Sequence, residues 1–314
     1  MTTNAEQHPV VVGVDGSASA LRAVRWAAHE AQRRHALLRL VHVCYLVPVR
    51  HPPQVAPPPA YHDAILMQGR HWLNQAAGTA RTAVPDLALS TDLRDGITAD
   101  VLVGESATAQ LVVLGSRGLG GFTGLLVGSV AVALSAHSHC PVVVVRASTA
   151  DRPPPEAGPV VVGVDGSTLS EAAVEFAFEA AAARKVPLLA VHTWVDVDMA
   201  GAWAALPRTI DWDRVEAEET RLLDNVLAGW VDKFPDVEVR RVVERDRPRR
   251  ALLQHAADAQ LVVVGSRGRS GLTGLGLGSV SQSLLRHAEC PVVVVRREKR
   301  APSERPDLTR GEVS

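Results

Sequence analysis

PVVVGVDGS spans Pro9 to Ser17, and the same nine letters return from Pro159 to Ser167. QLVVLGSRG from Gln110 to Gly118 returns as QLVVVGSRG from Gln260 to Gly268, and CPVVVVR from Cys140 to Arg146 returns from Cys290 to Arg296. The offset is 150 residues in all three blocks. Unrelated segments have no reason to stay in register, so the chain is two copies of one domain with nearly equal loop lengths. The boundaries that follow are 8–146 for the first copy, 147–157 for a polar, Pro-rich linker, 158–296 for the second copy and 297–314 for a charged, mobile tail.

The repeated blocks also decide the fold. Val10 to Val14, Leu37 to Val43, Leu111 to Leu114 and Val142 to Val145 are nearly all apolar, as expected of parallel strands covered on both faces. The stretch with Leu87, Leu89, Thr91 and Leu93 alternates instead, which places it nearer an edge. Between the first two strands Leu21, Val24, Ala28 and Ala31 share one helical face. Repeating this βαβ unit gives a five-stranded parallel α/β sandwich per copy, with ligands expected at the carboxyl ends of the strands near the topological switch point. After the second strand the first copy carries PVRHPPQVAPPPA, Pro48 to Ala60, either a plain connection or a lid or partner-binding segment, and the second copy has DVDMAGAWAALPR there.

Composition bounds the function. Hydrophobic residues make up 46% and charged ones 21%, and the net charge of −1 leaves no global field to gather nucleic acid or an anionic membrane. Neither partner is expected. The N-terminus lacks the pattern of a signal peptide and no stretch reaches the roughly 18 apolar residues of a spanning helix, so the expected location is cytoplasmic. Cys44, Cys140 and Cys290 are too sparse for a disulfide framework.

The chemistry-bearing motif follows the fourth strand of each copy. Gly115 and Gly118 are separated by two residues, and nine more precede Gly128-Ser129; Gly265, Gly268 and Gly278-Ser279 repeat the spacing. Glycines let the backbone approach a ligand, and Gly-Ser opening a helix offers free N–H groups, the positive end of the helix dipole and a hydroxyl to anionic oxygens. The plain alternative is a Gly-rich turn with Ser129 and Ser279 as N-caps. A bulkier residue at Gly118 or Gly268 is expected to fill the ligand's space or to forbid a positive φ, with the fold intact. Asp15 and Asp165 end their first strands in GVDGS, beside the switch point, where a carboxylate either shapes the turn or accepts hydrogen bonds from a base or ribose. Neither the P-loop nor the dinucleotide fingerprint occurs.

GVDGS after strand one, VHV or VHT at the end of strand two, the G-x2-G-x9-G-S loop and CPVVVV as last strand together resemble the universal stress protein family, of the tandem-domain, ATP-binding kind. The resemblance implies two tandem Rossmann-like domains, similar to adenine nucleotide α-hydrolases, holding ATP, often with Mg²⁺. Carried over by position, it implies a first site of Asp15, Val43, Gly115, Ser116, Arg117, Gly118, Gly128, Ser129 and Val130. The second is Asp165, Thr193, Gly265, Ser266, Arg267, Gly268, Gly278, Ser279 and Val280. Thr193 departs from the small aliphatic residue expected at the adenine position, and Arg269 stands where the first loop has Leu119. Single-domain relatives are expected to form homodimers through the last strand, so here the two copies should pair those strands within one chain, with a further homodimer left open.

Other signals are weaker. His137, His139 and Cys140 do not recur as a set in the second copy, so they read poorly as metal ligands. His42 and His192 sit beside the expected base pocket, either as core histidines or as a base. The basic run Glu244 to Arg250 is a solvated helix start or a dock for an acidic partner. The function expected is a nucleotide-dependent regulator acting on an unknown protein partner. The rivals are an ATP-hydrolysing or nucleotidyl-transferring enzyme, for which no activated nucleophile is evident, and an interaction module without nucleotide.

Overall fold

The computed structural model describes residues 8–45, 59–119, 127–146, 158–194, 211–269 and 276–296. The linker, the tail, the segments 48–58 and 196–208, and the middle of each glycine loop lie outside the described residues. The first copy runs β1 (Val10–Gly13), α1 (Ala18–Arg33), β2 (Leu38–Cys44), α2 (Pro59–Ala83), β3 (Leu89–Asp95), α3 (Thr98–Glu105), β4 (Leu111–Gly115), α4 (Ser129–His137) and β5 (Val142–Val145). The second repeats it as β6 (Val160–Val164), α5 (Thr168–Arg184), β7 (Leu188–Thr193), α6 (Trp212–Lys233), β8 (Val239–Glu244), α7 (Pro248–Ala256), β9 (Leu261–Gly265), α8 (Ser279–His287) and β10 (Val292–Val295). No helix among the described residues is long and apolar enough to cross a membrane.

All strands within a copy pair in parallel, and the ten form one sheet in the order β3-β2-β1-β4-β5-β10-β9-β6-β7-β8. Successive strand side chains face opposite layers. Val10 and Val12 therefore pack with Ala23, Ala27 and Ala31 of α1, while Val11 packs in the other layer with Leu102 of α3 and Leu134 of α4. The continuous valine runs thus serve both faces. β3 and β8 are the outer strands, and the alternating pattern of β3 has this cause: it is covered less completely.

The join between copies is antiparallel, Val292 opposite Val144, Val293 opposite Val143 and Val294 opposite Val142. Val143 and Val293 are equivalent positions, so a pseudo-two-fold axis passes through that pair. Two bare apolar edges have covered each other. Around the same axis Arg34 lies over Phe176, 5.1 Å from the ring centroid, and its counterpart Arg184 lies over Trp26 at 5.9 Å. Arg146, just after β5, donates from Nη1 to the Leu285 carbonyl of α8 at 3.1 Å.

Strand order places β1 between β2 and β4, so the chain switches direction of winding at the β1–β4 boundary. A crevice opens there at the carboxyl ends of the strands.

Candidate functional site

The crevice of the first copy begins with a tight turn. Gly16 adopts φ +84° and Gly166 φ +73°, backbone that an L side chain rarely takes, which lets Asp-Gly-Ser reverse from strand into helix. Ser17 caps α1 by accepting from the Ala20 N–H at 3.1 Å, and Ser167 caps α5 by accepting from Ser170 at 3.2 Å. The indole of Trp72, from α2, packs directly on Gly16.

Asp15 ties this turn to the glycine loop. Its Oδ1 accepts from the Ser17 N–H at 3.0 Å and its Oδ2 from the Leu119 N–H at 2.9 Å. Asp165 repeats the clamp, with Ser167 at 2.9 Å and Arg269 at 2.8 Å. A carboxylate oxygen can accept more than one hydrogen bond, so the turn-shaping and ligand-facing readings of the carboxylate are compatible.

The same contact explains two glycines differently from the sequence reading. A side chain on Gly118 would collide with Asp15 Oδ2, and one on Gly268 would come within 2.5 Å of Asp165 Oδ2. Neither glycine has a positive φ. Their missing Cβ makes room first for the protein's own carboxylate. Gly115 likewise admits the first turn of α1, since a Cβ there would sit 2.7 Å from the Ser19 carbonyl carbon. Among the described residues of the loop Gly128 is the open glycine, with its nearest described neighbour, the Ser116 oxygen, at 3.7 Å. Its N–H donates to that oxygen at 2.8 Å and closes the base of the loop, as Gly278 does to Ser266.

Helix α4 starts at Ser129, with Gly128 as the capping residue and no side-chain cap; α8 starts at Ser279 after Gly278 in the same way. The serines are therefore first helical residues rather than caps, and both are exposed. The first N–H groups of such a helix have no intrahelical acceptor and carry the positive end of its dipole. Arg117 stands beside them. Burial, with Arg117 second, holds the Arg146 guanidinium below its ordinary value, and Arg296 is lowered by burial and then Arg267. The base of each loop is thus locally cationic, and Arg267 Nε and Arg296 Nη1 are buried without hydrogen-bond partners among the described residues.

These parts enclose a cavity of about 560 Å³ in the first copy, within the usual range for small-molecule sites. Asp15, Val43, Gly115, Arg117, Gly118, Gly128, Ser129 and Val130 all line it. Ser116, the ninth residue of the expected set, does not: its side chain is buried and its backbone serves the loop, accepting from Gly128 and donating to the Val145 carbonyl at 3.0 Å. The second set occupies equivalent positions, with Thr193 at the end of β7, Ser266 buried like Ser116, and Gly265, Arg267, Gly268, Gly278, Ser279 and Val280 in the second loop.

Sequence reasoning missed Trp72, which lines the first cavity from α2; a tryptophan at helical spacing reads as core, and Leu222 holds the equivalent place. His42 also lines the cavity. Its Nδ1 lies 2.7 Å from the Val14 carbonyl oxygen, an acceptor, so that nitrogen carries the proton. The second copy adds Arg269, whose guanidinium lies near Gly166, where a Cβ would stand 2.8 Å from Nη2. Among the described residues no group of three or more His, Cys, Asp or Glu is placed to hold a metal ion.

The Universal stress protein family matches residues 7–146 and again 157–296. The chain belongs to the universal stress protein family. As a tandem universal stress protein it is similar to one from Mycobacterium tuberculosis at 41% identity over 301 residues, covering 94% of this chain and 99% of that protein. A second from the same organism is 39% identical over 298 residues, covering 91% and 96%. Among solved structures, a universal stress protein from Archaeoglobus fulgidus shares the fold, with a TM-score of 0.64, 20% identity, and 93% of this chain and 99% of that one covered.

Proposed function

We propose that each copy, residues 8–146 and 158–296, binds an adenine nucleotide, ATP in the first instance, and that occupancy sets the surface this universal stress protein presents to a protein partner. The observation that carries this reading is the convergence of eight of the nine expected first-site residues on one cavity at the β1–β4 switch point, closed on one side by the start of α4. The ends of β1 and β2, with Val43 and Trp72, give the cavity its apolar part, suited to a base. Arg117, the Ser129 hydroxyl and the free N–H groups of the first turn of α4 give it an anion-binding end, suited to phosphates. Mg²⁺ would reach the site on the phosphates, with no protein cage of its own.

The chain's own part in a response to nucleotide lies in Asp15 and Asp165. Each holds one backbone N–H of the glycine loop, so a ligand seated between loop and turn would act on residues that the carboxylate already joins. Two experiments test the reading: mass spectrometry of ligand released from gently purified protein, and calorimetric titration with ATP. Adenine nucleotide in the first and one or two sites in the second are expected; no binding of ATP or ADP at millimolar concentration would overturn the reading.

A further inference from the structure

The two copies treat one histidine differently. His42 and His192 each direct Nδ1 at a carbonyl, Val14 or Val164, at 2.7 Å, so both rings are pinned in one orientation with Nδ1 protonated. In the second copy Nε2 is taken: it lies 2.9 Å from Oε2 of Glu219 on α6, and His192 is 2% exposed. In the first copy the residue at the position of Glu219 is Gly69 on α2, and His42 Nε2 has no hydrogen-bond partner among the described residues while the ring lines the cavity.

The neighbours are matched to this difference. A Cβ on Gly69 would stand 2.7 Å from His42 Cδ2, 2.7 Å from Leu93 Cδ1 and 3.3 Å from His42 Nε2. Glutamate therefore does not fit beside Leu93; the second copy has the smaller Val243 there and accommodates Glu219. Trp72, which braces His42 edge-on with ring centroids 5.1 Å apart, is Leu222 in the second copy. Three positions thus differ between the copies around one shared ring.

We infer that His42 Nε2 is a base-reading group of the first cavity, accepting a hydrogen bond from the exocyclic amino group of a 6-aminopurine, and that the second copy has lost this selectivity because Glu219 occupies the same nitrogen. This rests on the nucleotide reading above. In the neutral ring, with Nδ1 protonated, Nε2 offers a lone pair and no proton. A 6-oxopurine would set its own acceptor against that lone pair. A buried polar group built to meet a donor rejects the analogue that lacks it, because the unmet group loses its hydration without recompense.

The test isolates each cavity with an exposed substitution at a helix start. Ser279→Glu places a carboxylate where phosphates would sit in the second copy, and Ser129→Glu does so in the first; acidic residues are favourable in a first helical turn, so the fold should persist. ATP and inosine triphosphate, which differ in the 6-amino and 6-oxo groups, are titrated calorimetrically at pH 8 into each variant. The Ser279→Glu chain should bind ATP about tenfold more tightly than inosine triphosphate, and the Ser129→Glu chain about equally. Adding Gly69→Glu with Leu93→Val to the Ser279→Glu chain should bring the ratio near one; His42→Phe, which keeps a ring but no nitrogen, should do the same if the double change does not fold. Equal affinities in the Ser279→Glu chain, or a preference for inosine triphosphate, would overturn the inference and leave nucleotide binding standing. Loss of ATP binding both there and in the unaltered chain would overturn both.

Discussion

Arg184 of the second copy donates from Nη2 to Oε2 of Glu30 in the first at 2.6 Å, with the two side chains 4% and 2% exposed. Glu30 also accepts from Arg34 Nε at 2.7 Å and from Arg33 Nη1 at 3.3 Å. Arg34 and Arg184 are pseudo-symmetric, but the position equivalent to Glu30 is Ala180, so one carboxylate near the axis serves both arginines. Glu30→Ala should therefore cost about 3–5 kcal/mol, the range for stranding a buried charge. Urea denaturation measures this. Because the site is pseudo-symmetric, adding Ala180→Glu should recover a substantial part of the loss.

The same cluster makes a pH signature. Burial by itself would raise the Glu30 carboxyl, but Arg184 and Arg34 outweigh it and hold the pKa below the ordinary carboxylate value of 4.5. A group lowered in the folded state stabilises fully above its ordinary pKa and ceases to do so as pH falls through the folded one. The native chain should lose more stability than Glu30→Ala as pH falls below the ordinary carboxylate value of 4.5, so the two denaturation midpoints converge in acid. Parallel midpoints at every pH would show Glu30 to be uninvolved.

The glycine loop separates packing from binding. Gly118→Val drives a side chain into Asp15 Oδ2 and should lower stability by about 1–3 kcal/mol as well as weaken ATP. Gly128→Ala meets nothing closer than 3.7 Å among the described residues and should leave stability within about 0.5 kcal/mol, so any loss of affinity there reports on ligand space. Thermal unfolding and calorimetry on both variants distinguish the two effects. Gly118→Val with unchanged stability would contradict the contact with Asp15.

Asp15→Ala removes the acceptor of both the Ser17 and Leu119 N–H groups. Hydrogen exchange at the Leu119 amide should accelerate by about tenfold, with ATP affinity falling in parallel, while Asp165→Ala should act on the Arg269 amide instead. An unaffected Leu119 amide would mean that Asp15 is not what holds Leu119 in place.

The central strands, the edge place of β3 and the pairing of the last strands follow from periodicity and the 150-residue repeat, because a buried strand must be apolar on both faces and a bare apolar edge must be covered; the order of the strands across the sheet does not. The site was legible wherever residue type and spacing are both restrictive, as at Asp15, Gly118 and Gly128-Ser129. It was illegible where the role depends on a neighbour far along the chain. Glu30 lies among the alanines of α1, and only the arriving Arg184 makes its burial tolerable. Trp72 and the difference between Gly69 and Glu219 sit on helices whose rotation over the sheet no local pattern fixes. The reason for Gly118 needed the position of Asp15, 103 residues earlier in the chain.

Val143 and Val293 face each other directly across the antiparallel join. Residues so paired have Cα atoms about 4.5–5.5 Å apart, within the span a disulfide bridges. The chain's own cysteines should not compete. Burial pushes the Cys140 and Cys290 thiols up to about 12, and raises Cys44 as well, so none offers much thiolate near neutral pH. In Val143→Cys with Val293→Cys, oxidation by diamide during refolding should therefore yield one intrachain bridge, running as a fast monomer on a non-reducing gel and resisting urea unfolding more than the reduced form. Either single variant should stay reduced. A ladder of covalent dimers from the double variant would mean that the last strands pair between chains, and that the pseudo-two-fold axis joins copies of different molecules.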